Sequence, residues 1–135
     1  MRGGPRPRHG RGHVARAVLE AMAFAEADVF ERLATLGIAT GAVTLLGGGA
    51  RSALWAQIRA DVSGLPVDIA ARADTCPLGA AMLAAVAAGL AADLHACAAL
   101  VARRGATVDP AADRGAVDEA YARYRRLFGA LRTLW

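Results

Sequence analysis

A chain of 135 residues is long enough to enclose one modest core, and a hydrophobic fraction of 56% excludes a disordered polypeptide. The net charge of +4 sits at the start: residues 1–15 hold four arginines (Arg2, Arg6, Arg8, Arg11) and no acid, whereas from Arg16 onward 12 arginines meet 12 acids. A basic nucleic-acid face on the folded part is therefore not indicated, and the plain reading of the tail is a solvated, unstructured end.

The elements follow in chain order. Residues 1–12, rich in Gly, Pro and Arg, read as a loose tail. Val14, Val18, Met22, Ala25, Val29, Leu33 and Leu36 then trace one face of a long helix, with Gly37 placed to cap its end. Ala42 to Leu46 (AVTLL) is short and β-prone, as a buried parallel strand is, and it runs into three glycines. A second helix is expected from the N-cap Ser52 to Ser63, stopped by Gly64. Val67 to Ala70 forms a second strand, so that the pair makes a βαβ unit. Further helices are expected over Pro77–Ala88, Asp93–Arg104 and Arg114–Leu134, the last with a stripe of Val117, Tyr121, Tyr124, Phe128 and Leu131. The order α-β-α-β-α-α-α is a helix-rich α/β arrangement with a thin parallel sheet.

Several chemistries are excluded by composition. All 16 basic residues are arginine, so a Schiff-base lysine and a Walker A loop are both ruled out. Cys76 and Cys97 are far apart in apolar surroundings and belong to no CxxC pair; buried free thiols in a reducing compartment are expected. His9, His13 and His95 have no metal-ligand spacing. Gly79 to Leu90 is apolar but shorter than the roughly 20 residues that span a bilayer. No secretory leader is visible, and a cytoplasmic location is expected.

The most informative feature is the Gly47-Gly48-Gly49-Ala50 turn, where a parallel strand hands over to a helix. Backbone N–H groups are free there, the helix dipole is positive, and glycine lets a flat ligand approach the backbone. Glycines at such a turn also serve simply to make a tight corner. The Rossmann fingerprint is excluded because Ser52 stands where its last glycine is required.

The string GGGARSALWAQIRADVSGLPVDI closely resembles a segment of the FGGY carbohydrate kinases, with Gly48, Gly49, Ala50, Arg51, Ser52, Trp55, Ala60, Asp61, Gly64, Pro66 and Val67 at matching positions. Upstream, Arg16, Glu20 and Phe24 match the family's R-A-x-x-E-G-x-A-F helix, with Ala21 replacing a glycine. Downstream, DTCPLGAA (Asp74 to Ala81) resembles its E-x-x-x-x-G-A-A helix start, with Asp74 for the glutamate and an atypical Cys76-Pro77, and YARYRRLFGAL resembles its closing helix. The likeness covers roughly residues 12 to 131.

The resemblance implies a partial actin-like ATPase (ribonuclease H-like) domain: residues 13–135 as the C-terminal part of the kinase's second domain. It implies ATP as cofactor, with Gly48, Gly49 and Ala50 against the adenine and Ser52 nearby at the helix start. Asp61 reads as a structural hydrogen-bonding residue and Trp55 as core beneath the turn. The glycerol-acting branch often carries asparagine after the turn; this chain has none, which places it nearer the pentulose kinases, such as xylulokinases. In the family the catalytic aspartate, the sugar pocket and the Mg2+ ligands come from upstream, so no catalytic residue is assigned and the chain alone is not expected to be a competent kinase.

Two other functions remain beside that one: a non-catalytic nucleotide-binding or protein-interaction module, and a nucleic-acid binder acting through the tail, which the balanced charge disfavours. No membrane partner is expected. Arg16 and Glu20 read as an i,i+4 pair of about 0.3–0.5 kcal/mol, Tyr121 and Tyr124 as helix packing, and Arg103 with Arg104 as the basic close of a helix. A two-stranded remnant would leave a hydrophobic edge open, so self-association is expected.

Overall fold

The computed structural model describes residues 9–71, 74–101 and 104–132. Most of the tail, residues 1–8, lies outside them, as does Leu134 at the end of the last expected helix.

Helix α1 spans Arg11–Thr35, taking in Arg11 and Gly12 that the sequence assigned to the tail. It ends in a Schellman turn: Ile38 N–H donates to the Leu33 carbonyl, Gly37 N–H donates to Ala34, and Gly37 has φ of 77°. Strand β1 (Val43–Leu45) leads into a 3-10 turn (Gly47–Arg51) and then helix α2 (Ala53–Ser63). The Ser52 hydroxyl caps α2 by accepting from Trp55 N–H at 3.2 Å, and Gly64, at φ 70°, closes it. Strand β2 is Val67–Ala70, helix α3 Thr75–Ala87, helix α4 Leu94–Val101, strand β3 Arg104–Val108 and helix α5 Gly115–Arg132. Asp93 caps α4 through its carboxylate, which accepts from Ala96 N–H at 2.7 Å.

The sheet corrects the sequence reading. It has three strands in the order β1-β2-β3; β1 and β2 are parallel, as expected, and β3 is antiparallel to β2. The expected fourth helix through Arg104 stops at Val101, and Arg104 opens β3 instead of closing a helix; Arg103 lies outside the described residues. The chain can cross β2 closely at this point because residue 105 is glycine: a Cβ there would collide with the Ile69 carbonyl beside a bulge at Asp68/Ala70.

Two clusters form the core. One joins Ala23, Phe24 and Ala27 of α1 to Ile58 and Val62 of α2, with Val117, Tyr121 and Tyr124 of α5 packed on it. The other joins Val43, Leu45 and Val67 of the sheet to Ala56 and Ala60 of α2. The stripe from Val14 to Leu36 is thus not the core face of α1. Val14, Val18, Met22, Val29 and Leu36 are exposed, while Leu19, Ala23, Phe24 and Ala27 point inward. The α5 stripe packs through Val117, Tyr121 and Tyr124, and its far end, Phe128 and Leu131, is exposed. Cys97 is buried, but Cys76 is exposed, against the expectation for both thiols.

Helix α5 is fastened to α1 by polar contacts as well as rings. The Tyr121 hydroxyl donates to Asp28 at 2.7 Å and lies 3.1 Å from Glu31, while Arg125 donates to Glu31 at 2.7 Å. Burial, followed by these carboxylate contacts, raises the Tyr121 pKa far above its ordinary value of 10.0. Burial, followed by the charge of Asp28, raises that of Tyr124 as well. Folding thus favours the protonated phenols: their contribution is complete below about pH 10 and is lost as pH rises above it. No lysine titrates in this range to mask the effect. Urea melts should therefore show stability falling above pH 10, with Tyr121→Phe about 1 kcal/mol less stable at pH 7 and less sensitive to alkali; an unchanged alkaline slope in the variant would refute the clasp.

Candidate functional site

The glycine turn begins at the carboxyl end of β1, where the open end of a parallel strand pair meets the N-terminus of a helix. Gly47 takes φ of 68°, a conformation that side chains other than glycine rarely adopt. The next residues coil into the 3-10 turn and deliver Ser52 to its capping position. Gly48, Ala50 and Ser52 therefore occupy one short rim of backbone ahead of α2.

The three glycines do different things. A Cβ on Gly48 would meet nothing within 4 Å, so the backbone faces open space there. A Cβ on Gly49 would lie 3.2 Å from the Trp55 indole and 3.7 Å from Leu45. Gly49 is thus required from inside: its missing side chain lets the turn rest on the indole. Trp55 is packed against both core clusters, beneath the turn as expected. Of the residues proposed from sequence, Gly48 and Ser52 lie on the accessible side, Ala50 is half-buried against the sheet cluster, and Gly49 faces Trp55.

Asp61 takes the structural place expected of it. Its Oδ1 accepts from Gln57 Nε2 at 2.7 Å and from Ala111 N–H at 2.9 Å, and its carbonyl accepts from Arg114 Nε at 2.7 Å. Those bonds tie α2 to the segment that leads into α5. Arg16 pairs with Glu20 at 2.7 Å, as the spacing predicts. The sequence reading missed the bidentate bond of Arg59 to Glu26, which joins α2 to α1, with the Arg59 guanidinium 5.4 Å from the Trp55 ring. Its signal was an acid and a base on two helices that both carry family motifs, but only the fold pairs them.

Among the described residues, no group of three or more His, Cys, Asp or Glu is arranged to hold a metal ion. No helix there is long and apolar enough to cross a membrane. The arrangement is that of an α/β protein with a bare backbone rim at a strand's carboxyl end, the place where ligands of such folds generally bind.

Comparison with known proteins specifies that class. A sequence profile described as "FGGY family of carbohydrate kinases, C-terminal domain" matches residues 1–88, and the chain belongs to that family. It is 48% identical over 81 residues to xylulose kinase of Escherichia coli, covering 59% of this chain and 17% of that one. It is 42% identical over 81 residues to glycerol kinase of Gloeobacter violaceus, covering 59% and 16%. Among solved structures, a "xyloylose kinase" from Brucella ovis superimposes with a TM-score of 0.83 at 33% identity, covering 98% of this chain and 27% of that one. The fold is accordingly part of the actin-like ATPase fold. The chain spans about a sixth of the length of these curated relatives and about a quarter of the solved structure.

The geometry separates the two central glycines. Gly49→Ala should cost about 1 kcal/mol by crowding the indole and should shift the tryptophan emission. Gly48→Ala should change stability by less than about 0.5 kcal/mol. Equal costs in thermal melts would contradict this division of roles.

Proposed function

We propose that this chain carries the adenosine side of the ATP site of an FGGY sugar kinase, and that it does not transfer phosphate on its own. The observation that carries the reading is the bare rim at Gly48: family membership directs attention to this turn, and its backbone faces open space that a side chain would fill. Gly48 and Ser52 form the accessible contact set, Ala50 lies half-buried beside them, and Gly49 supports the turn through Trp55. ATP, when bound in the whole kinase, supplies the phosphoryl group. The part assigned to these residues is to receive the flat adenosine end and orient it. The magnesium ligands, the base that accepts the proton of the sugar hydroxyl and the sugar pocket are assigned to the portion of a complete kinase outside this chain. A cytoplasmic location belongs to the same reading.

For the sugar we propose a ketopentose of the xylulose kind. The identity to the xylulose kinase of E. coli, 48%, exceeds the 42% to the glycerol kinase of G. violaceus, and the chain has no asparagine to place after the turn.

Equilibrium dialysis with labelled ATP tests the proposal. The full chain should bind ATP weakly; adenosine should compete, and inorganic triphosphate should not. Gly48→Leu should weaken binding at least tenfold while leaving the melting temperature unchanged. No ADP should form above background with D-xylulose and magnesium. Competition by triphosphate alone, or turnover by the isolated chain, would overturn the assignment. A second reading, a non-catalytic interaction module, is favoured by the apolar surface left uncovered on α1.

A further inference from the structure

A charged pair lies among the apolar side chains between α1 and α2. Glu26 of α1 and Arg59 of α2 are mostly buried, with 22% and 18% of their side chains exposed; for Arg125 and Glu31, which join α1 to α5, the figures are 55% and 48%. Arg59 Nε donates to Glu26 Oε2 at 2.7 Å and Arg59 Nη2 donates to Oε1, so the contact is bidentate. Met22, Ala25, Val29, Phe30 and Trp55 surround it. Withdrawing two charges from water costs much of what their attraction returns, and a well-packed apolar pair would hold the helices as firmly. The pair therefore adds little to cohesion. What a bidentate contact adds is direction.

The direction it sets is towards Trp55. Arg59 follows Trp55 by one turn of α2, so the two side chains share a face of the helix. The guanidinium carbon lies over the indole, 5.4 Å from the ring centroid, within reach of a cation–π contact. The edge of the same ring supports the glycine turn: Cδ1 and Nε1 are both 3.2 Å from where a Cβ on Gly49 would stand. Glu26, Arg59, Trp55 and Gly49 thus form one chain of contacts, from α1 to the rim at Gly48. The χ2 torsion of a tryptophan is broad, so the angle of the ring is set by its neighbours and not by its own rotamer. Turning the ring would carry its face off the guanidinium and its edge off the turn together.

We propose, resting on the reading of the turn as the adenosine site, that Glu26 and Arg59 are positioning residues for it. They act through the Trp55 ring, whose angle they set, and not by contact with ATP. A rim of backbone receives a flat ring best when its support is fixed before binding, because the ligand then bears no cost of ordering it. Loosening the pair acts on affinity first and on stability little. Single and double changes differ here. Removing the charge of Glu26 alone leaves a mostly buried guanidinium without its anion, which destabilises the fold; replacing both residues by apolar ones does not. The double change therefore separates a positioning role from a purely structural one.

The test uses the full 135-residue chain carrying Trp135→Phe, which leaves Trp55 as its one tryptophan. In that parent, Glu26→Leu combined with Arg59→Met should melt no lower than the parent itself. The fluorescence anisotropy of Trp55 should nonetheless fall, and the amide signals of Gly48 and Gly49 should shift. ATP binding in equilibrium dialysis should weaken about fivefold. Arg125→Leu, which breaks the ion pair with Glu31 between α1 and α5, should leave the two glycine amides and the ATP affinity as in the parent. Should the apolar double variant not fold, Glu26→Gln carries the same comparison of anisotropy and amide shifts, since it keeps the shape of the side chain and one acceptor oxygen. A double variant that binds ATP as its parent does, with both glycine amides unmoved, overturns the proposal whatever its melting temperature. An equal loss of affinity in Arg125→Leu overturns it as well. If the parent binds no ATP, the anisotropy and the amide shifts still decide whether the pair sets the ring and the turn, and only the proposed function fails.

Discussion

The structure depends on how closely α2 lies on its neighbours. Ala56 and Ala60 are fully buried and their side chains are single methyl groups, so the helix axis can approach β1 and β2. On its other side, Ile58 and Val62 meet Phe24 of α1. A helix gripped on both sides needs fixed ends, and the Ser52 cap and the left-handed Gly64 provide them. The glycine turn inherits its position from this arrangement. It is pinned below by Trp55, behind by β1 and ahead by the Ser52 cap, while the backbone at Gly48 faces open space.

The same helix organises the rest of the chain. Asp61 receives the backbone of Ala111, and its carbonyl receives Arg114, which fixes where α5 begins. From there α5 crosses α1, and the rings of Tyr121 and Tyr124 come within 5.5 and 5.4 Å of Phe24. Asp61 thus joins segments distant in sequence. The resemblance of this stretch to the kinase family is partly a resemblance in scaffold: an acid that matches the family's motif need not touch a ligand to be required for the site's geometry.

Local signals in the sequence revealed what local physics decides. Gly37, Ser52, Gly64 and Asp93 mark helix ends because each satisfies or terminates backbone bonds within a few residues. Strand β3 was hidden, since its pairing to β2 is a long-range event and Gly105 weakens any strand pattern in Arg104–Val108. The face of α1 was hidden for a different reason. Two apolar stripes run along that helix, and periodicity finds the one with larger residues, Val14 to Leu36, while the core uses Ala23, Phe24 and Ala27. Helix α3 repeats the ambiguity: it has no charged residue and buries none of its side chains fully. At the candidate site, the turn itself was legible, but the division between an open Gly48 and an indole-bound Gly49 required the placement of Trp55.

The central claim is that the turn is a folded, accessible site for the adenosine end of ATP. The most direct measurement is an amide NMR titration of the full chain with magnesium ATP. The account predicts a dispersed spectrum with shifts confined to Gly47–Ser52 and the residues packed against them, Trp55 among them. A dispersed spectrum with no response, or shifts centred on α3 and α4, would contradict it.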